Sequence, residues 1–179
     1  LLAERRININ DRKLEDQLVR IYNNIAASLL YMHEYRKALY YLDKAEALAN
    51  KLQHYTRLPS ILNNKALVCT KSGTSEMAWE YYNRALALAR KFRKYQEEYV
   101  TLHGMANYMT EHNQSEKAIP YLKAAIEIKG KVNPSYTSRT LSALGGIYLG
   151  AKDYTRAQHY LQQALEKGEL AQALDCILQ

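Results

Sequence analysis

Ala38-Leu39-Tyr40-Tyr41-Leu42-Asp43-Lys44-Ala45 is a stretch that the chain repeats. It returns as Ala78-Trp79-Glu80-Tyr81-Tyr82-Asn83-Arg84-Ala85 and as Ala118-Ile119-Pro120-Tyr121-Leu122-Lys123-Ala124-Ala125. A fourth copy reads Ala157-Gln158-His159-Tyr160-Leu161-Gln162-Gln163-Ala164. Both flanking alanines advance in steps of 40, 40 and 39 residues. An upstream slot, Ala26, Ala66, Ala106 and Gly145, keeps the same steps. Three small-residue positions that hold one register through four copies mark stacked structural repeats, not a domain built around one catalytic cleft.

Each copy reads as two helices. In the first, Ile21, Ile25, Ala26, Leu29 and Leu30 recur with a helical period, His33-Glu34 breaks it, and Ala38, Leu39, Leu42, Ala45 and Leu48 resume it. The later breaks are Lys71-Ser72-Gly73-Thr74, His112-Asn113-Gln114-Ser115 and Ala151-Lys152-Asp153. Connections this short force neighbouring helices to pack antiparallel, and a small residue lets their axes approach closely. The pattern predicts helices over 11–32, 35–52, 55–72, 75–93, 95–112, 115–130, 134–151 and 154–167. The repeats are then 11–52, 53–93, 94–132 and 133–168. Residues 1–10 read as the end of a preceding repeat and 169–179 as the start of a fifth, so the chain reads as a piece of a longer protein. Leu170, Leu174, Ile177 and Leu178 would then be uncapped, which predicts a homodimer through the ends.

The slots resemble the tetratricopeptide repeat, with Ile25-Ala26, Leu29, His33, Tyr35, Ala38, Leu42 and Ala45 at its signature positions. The resemblance spans about residues 14–167. It implies an all-α, right-handed superhelical solenoid of antiparallel helix pairs. The 40-residue period exceeds the family's usual length of about 34, and so resembles the long repeats of kinesin light chain and of bacterial peptide-sensing regulators. Tyr22-Asn23-Asn24-Ile25-Ala26, Leu62-Asn63-Asn64-Lys65-Ala66 and Ala118-Ile119-Pro120-Tyr121-Leu122 resemble motifs of that branch.

The bulk composition fits a folded helical chain. Of 179 residues 47% are apolar and 24% charged, with 7 glycines and 3 prolines. Sixteen tyrosines against one phenylalanine suit helix seams, where a ring is buried and its hydroxyl reaches a polar partner. No apolar run reaches membrane-spanning length, so no membrane insertion is expected. Cys69 and Cys176 lack metal-ligand or redox spacing, and the compartment stays open between cytoplasm and periplasm. The net charge of +7 gathers where second helices end, as in Arg90-Lys91-Phe92-Arg93-Lys94, and acids gather where they start, as at Glu76 and Glu116. Helix dipoles favour that arrangement, so nucleic acid is not the expected partner.

No catalytic or metal motif stands out among His33, His54, His103, His112 and His159, and Gly145-Gly146-Ile147-Tyr148-Leu149-Gly150 lacks the strand and Gly-Lys-Ser/Thr of a phosphate loop. The expected function is therefore non-enzymatic, with no cofactor and no metal. The resemblance implies a concave groove along the first helices that binds a protein or peptide segment. Carried onto this sequence, its contact residues are Arg20, Asn23, Asn63, Lys71, His103, Asn107 and Arg139, with Ala27, Leu30, Leu67, Thr70, Thr110, Glu111, Ser142 and Gly146 alongside. Asn23, Asn63, His103 and Asn107 are expected to project into one channel without intrachain partners. Arg20, Lys71 and Arg139 bias it toward an acidic segment. The alternative is a sensory or assembly domain of a larger bacterial regulator whose histidine kinase or helix-turn-helix output lies elsewhere.

Overall fold

A computed structural model describes the backbone of residues 2–128 and 134–177, with side chains described over 13–74, 76–128 and 135–168. Among the described residues there are eight α-helices and no strand. They are α1 (Leu2–Tyr31), α2 (Tyr35–Lys51), α3 (Leu58–Ser72), α4 (Ser75–Lys91), α5 (Tyr95–Glu111), α6 (Ser115–Glu127), α7 (Pro134–Gly150) and α8 (Tyr154–Ile177). A single 3-10 turn, Tyr55–Arg57, leads into α3. Pro59 sits in the first turn of α3, where its missing N–H has no intrahelical partner to lose. The helices follow the predicted order, with two differences. α1 absorbs residues read as the end of a preceding repeat, because no glycine or proline precedes Pro59 to break it. α8 likewise runs on past Lys167, tolerating Gly168. The side chains of Leu170, Leu174 and Ile177, and Leu178 as a whole, lie outside the described residues.

The chain forms two compact units, Leu1–Glu97 and Glu98–Gln179. In the first, α1 packs on α2, α2 on α3 and α3 on α4. Its core joins Val19 and Ala26 of α1, Ala38, Leu42 and Ala45 of α2, Ile61, Leu62 and Val68 of α3, and Ala85 of α4. In the second, Ala106, Ala118, Leu122 and Leu144 form the centre, flanked by Met109, Ile147 and Tyr160.

Every alanine of the repeated slots is buried: Ala26, Ala66 and Ala106 are at most 1% exposed, and Ala164, the most open, is 4% exposed. Gly145 shows why small residues are needed there. A Cβ on it would lie 2.6 Å from Leu161 Cγ on the neighbouring helix.

The turns repeat as strictly as the helices. His33, Gly73, Asn113 and Lys152 close the first helices, and Gln53 and Arg93 close the second helices α2 and α4; all six have positive φ, from 52° to 83°. At each, two bonds satisfy the last carbonyls. At the first turn these are His33 N–H to Leu30 O (3.0 Å) and Glu34 N–H to Leu29 O (2.9 Å). Gly73 and Thr74 repeat them on Thr70 and Cys69, and Lys152 and Asp153 on Leu149 and Tyr148. This is the Schellman arrangement, in which the left-handed residue favours glycine. Lys152→Gly is therefore expected to raise the unfolding free energy by about 0.5–1 kcal/mol, and Gly73→Ala to lower it by about 1 kcal/mol. Urea melts check both signs.

Candidate functional site

In the first unit, α1 and α3 carry the candidate residues. Arg20 is exposed and lines a small pocket of about 170 Å³ with Asn23, Asn24, Arg57 and Ser60. Contrary to the expectation from sequence, Asn23 has an intrachain partner: its Oδ1 accepts a 3.0 Å bond from Asn64 Nδ2. The Asn-Asn pairs of the first two repeats thus tie α1 to α3, an interaction invisible in one helix's periodicity. Asn63 is 9% exposed, not projecting, and its Oδ1 is buried without a hydrogen-bond partner among the described residues. Lys71 is exposed at the end of α3 and engaged within the chain.

In the second unit, His103 is half-buried, with its Nε2 enclosed and unbonded among the described residues. Its ring centroid lies 5.8 Å from that of Tyr99, which stacks on Tyr136 at 4.7 Å. The Tyr99 hydroxyl donates to Tyr136 O at 2.9 Å and is 2.9 Å from Thr140 Oγ1. Arg139 is exposed and lies over the Tyr136 ring. The Tyr99 ring lies beside His103 and its Nε2 is enclosed, so the expectation of an openly projecting imidazole is corrected. Burial first, and the Arg139 charge second, push its pKa below the ordinary 6.5.

That shift carries a sign. Just below the ordinary histidine pKa the unfolded chain takes up a proton that the folded chain refuses. The stabilisation is complete above that value and is lost as pH falls through the folded pKa. Stability should therefore fall from pH 7 toward pH 5 more steeply in the native chain than in His103→Gln. Equal slopes in urea melts across that range would show that the imidazole is not held neutral.

Asn107 is exposed on α5. With Thr110, Gln114, Ala143, Gly146 and Ile147 it borders a cavity of about 740 Å³ between the ends of α5 and α7 and the start of α6. Asn107, Thr110 and Gly146 are groove positions expected from sequence; Gln114, Ala143 and Gly150 are not among those positions, because turn residues and small apolar residues carry no chemical signature. A Cβ at Gly146 or Gly150 would meet nothing within 4 Å, so bare backbone forms part of the wall.

Among the described residues no group of three histidine, cysteine or acidic side chains is placed to hold a metal, and Cys69 is buried and unpaired. No helix there is long and apolar enough to cross a membrane.

Family models described as Tetratricopeptide repeat match residues 57–131 and 137–171, together more than half of the chain. The chain belongs to the tetratricopeptide repeat family. Repeats of this family generally form non-catalytic scaffolds and mediate protein–protein interactions. Among solved structures, the tetratricopeptide chain superposes on the crystal structure of BtubC (BKLC) from P. vanneervenii with a TM-score of 0.74 and 22% identity. The match covers 86% of this chain and 64% of BtubC, so the chain spans less than two thirds of that protein's length. At this identity the likeness shows the fold alone. No curated protein matches the tetratricopeptide chain.

Proposed function

We propose that the chain is a non-catalytic scaffold that holds extended segments of a partner protein on the first helices of each unit, α1 and α3 in the first and α5 and α7 in the second. The observation that carries this reading is the pair of enclosed atoms without partners among the described residues, Asn63 Oδ1 and His103 Nε2. Leaving a buried polar atom unbonded costs about 1–3 kcal/mol, and a ligand that moves the covering side chains aside and bonds it recovers that loss. Both atoms belong to the register position shared by Asn23, one repeat apart along the sequence. Asparagine amides both donate and accept, so they suit a peptide backbone of any sequence. Asn107 and the cavity beside it extend the same reading in the second unit. Arg20 and Arg139 favour an acidic segment.

Peptides selected by phage display against the chain supply the test. Asn23→Ala combined with Asn63→Ala should weaken a selected peptide about tenfold by calorimetry, the equivalent of one or two hydrogen bonds. Circular dichroism should still report the folded helices. Unaltered affinity in the folded double variant would place binding away from the first helices.

A further inference from the structure

A second pocket, of about 440 Å³, lies in the first unit and is lined by Lys13, Asp16, His54, Thr56, Arg57 and Lys94. These residues come from α1, from the connection between α2 and α3, and from the connection between α4 and α5. Residues 81 positions apart in sequence thus converge because successive repeats place their connections side by side.

The charge in this pocket is unbalanced. Lys13, Arg57 and Lys94 supply three positive charges and Asp16 one negative charge. That single carboxylate is fully used: Arg57 Nε and Nη2 donate to Oδ1 and Oδ2 at 3.2 and 2.9 Å, and His54 Nδ1 is 3.0 Å from Oδ1. The Arg57 hydrogen bond, the largest influence, holds the Asp16 carboxyl below its ordinary pKa. Asp16 therefore fixes the Arg57 guanidinium and leaves its remaining N–H donors available. Neither Lys13 nor Lys94 has an ion-pair partner among the described residues, and the Thr56 hydroxyl is likewise unbonded there. The neighbouring Lys51 differs, being paired with Glu15 at 3.0 Å.

We propose that this pocket binds a phosphate monoester, presented by a phosphorylated side chain of the partner segment. A monoester carries about −1.5 to −2 charge near neutral pH and three acceptor oxygens, which matches a surplus of two positive charges and donors from three elements; a carboxylate supplies about half that charge. Arg57 also borders the smaller pocket that holds Arg20 and Asn23. A segment gripped near Asn23 is thereby within side-chain reach of the phosphate position. The side-chain source rests on the proposed peptide-binding function, whereas the affinity of the pocket for the monoester does not.

The test titrates the chain with N-acetyl-phosphoserine amide, and separately with N-acetyl-serine amide, acetate and inorganic phosphate, following backbone amide shifts by NMR. The phosphoserine probe should shift the Thr56 and Arg57 amides at concentrations where the serine probe and acetate do not. Lys13→Gln with Lys94→Gln should weaken it about tenfold or more. Lys51→Gln, which removes a positive charge outside the pocket, should leave it unchanged, as should Asn23→Ala with Asn63→Ala. A phosphoserine probe that binds no better than the serine probe or acetate overturns the proposal. So does equal weakening by Lys51→Gln, which would reduce the effect to general charge. Binding of inorganic phosphate with no response to the phosphoserine probe would reassign the pocket to free phosphate and overturn the monoester. Phosphopeptide variants of the display-selected ligands then separate the two readings. A phosphoserine response that persists when no selected peptide is affected by the asparagine variants keeps this pocket and removes the groove.

Discussion

Glu46→Ala is expected to lower the unfolding free energy by about 3 kcal/mol, the low end of what breaking a buried ion pair costs, because one partner remains in part. Lys65 sits on α3 with its side chain only 5% exposed, an unusual place for an ammonium group. It bonds to Glu46 of α2, whose carboxylate is 17% exposed, and pairs with Asp43 at 2.6 Å. Arg84 of α4 closes the network on the second Glu46 oxygen at 3.0 Å. Three helices thus share one carboxylate. Removing it leaves Lys65 facing Asp43 alone, which is 67% exposed and screened by water. Lys65→Met should cost much less, since it removes the buried charge and Glu46 keeps Arg84. Adding Lys65→Met to Glu46→Ala should recover part of the loss. If both single variants melt alike in urea, the network is not holding a buried charge.

The same network fixes an alkaline dependence. Burial alone would lower the Lys65 pKa, but hydrogen bonds to Asp43 and Glu46, with their charges, outweigh it and hold the value above the ordinary 10.5. A raised folded pKa means stability that is complete below the ordinary lysine value and is lost as pH rises through the folded one. Lys65→Met should lack that alkaline decline.

Ala66→Leu and Ala106→Leu are each expected to destabilise by about 1–3 kcal/mol through overpacking. Both alanines are at most 1% exposed and sit where first helices meet their neighbours. Ala66 lies in the first unit and Ala106 at the centre of the second, beside Ala118, Leu122 and Leu144. Leucine adds three carbons to a site whose neighbours are helix backbones and interlocked side chains. Exposed Leu165→Ala, at 63% exposure, supplies the contrast and should change the melt little. Unchanged midpoints for the two alanine variants would mean that the repeated small residues are not at close contacts.

The alanine register made the fold legible because close helix packing admits so few side chains, and the same constraint recurs in each copy. Helix ends were legible at Gly73, which has no Cβ to clash, and at Asn113, whose short polar side chain tolerates left-handed backbone, and less so at Lys152 or Arg93, where composition gives no such sign. The long reach of α1 was not, since repeat length argued for a break near residue 10 that no local residue enforces. Site residues were read more poorly than the fold. Asn107 lines a cavity, whereas Asn23 and Asn63 are drawn into the protein by partners and burial that depend on a second helix. Lys65 carries no signal of burial in its own helix, because what neutralises it lies about 20 residues earlier on α2. Lys13, Thr56, Arg57 and Lys94 share no motif; only the turning of the chain assembles them.

The division at Glu97 has an optical consequence. Trp79, the one tryptophan of the chain, lies on α4 in the first unit, while tyrosines occur in both. Tryptophan emission during denaturation therefore follows the first unit alone, whereas ellipticity weighs every helix. In repeat proteins stability is a sum of local terms and neighbour couplings, not a single all-or-none quantity. The gap between the two signals measures the coupling across that boundary, so one chain carries its own internal reporter of how far cooperativity extends.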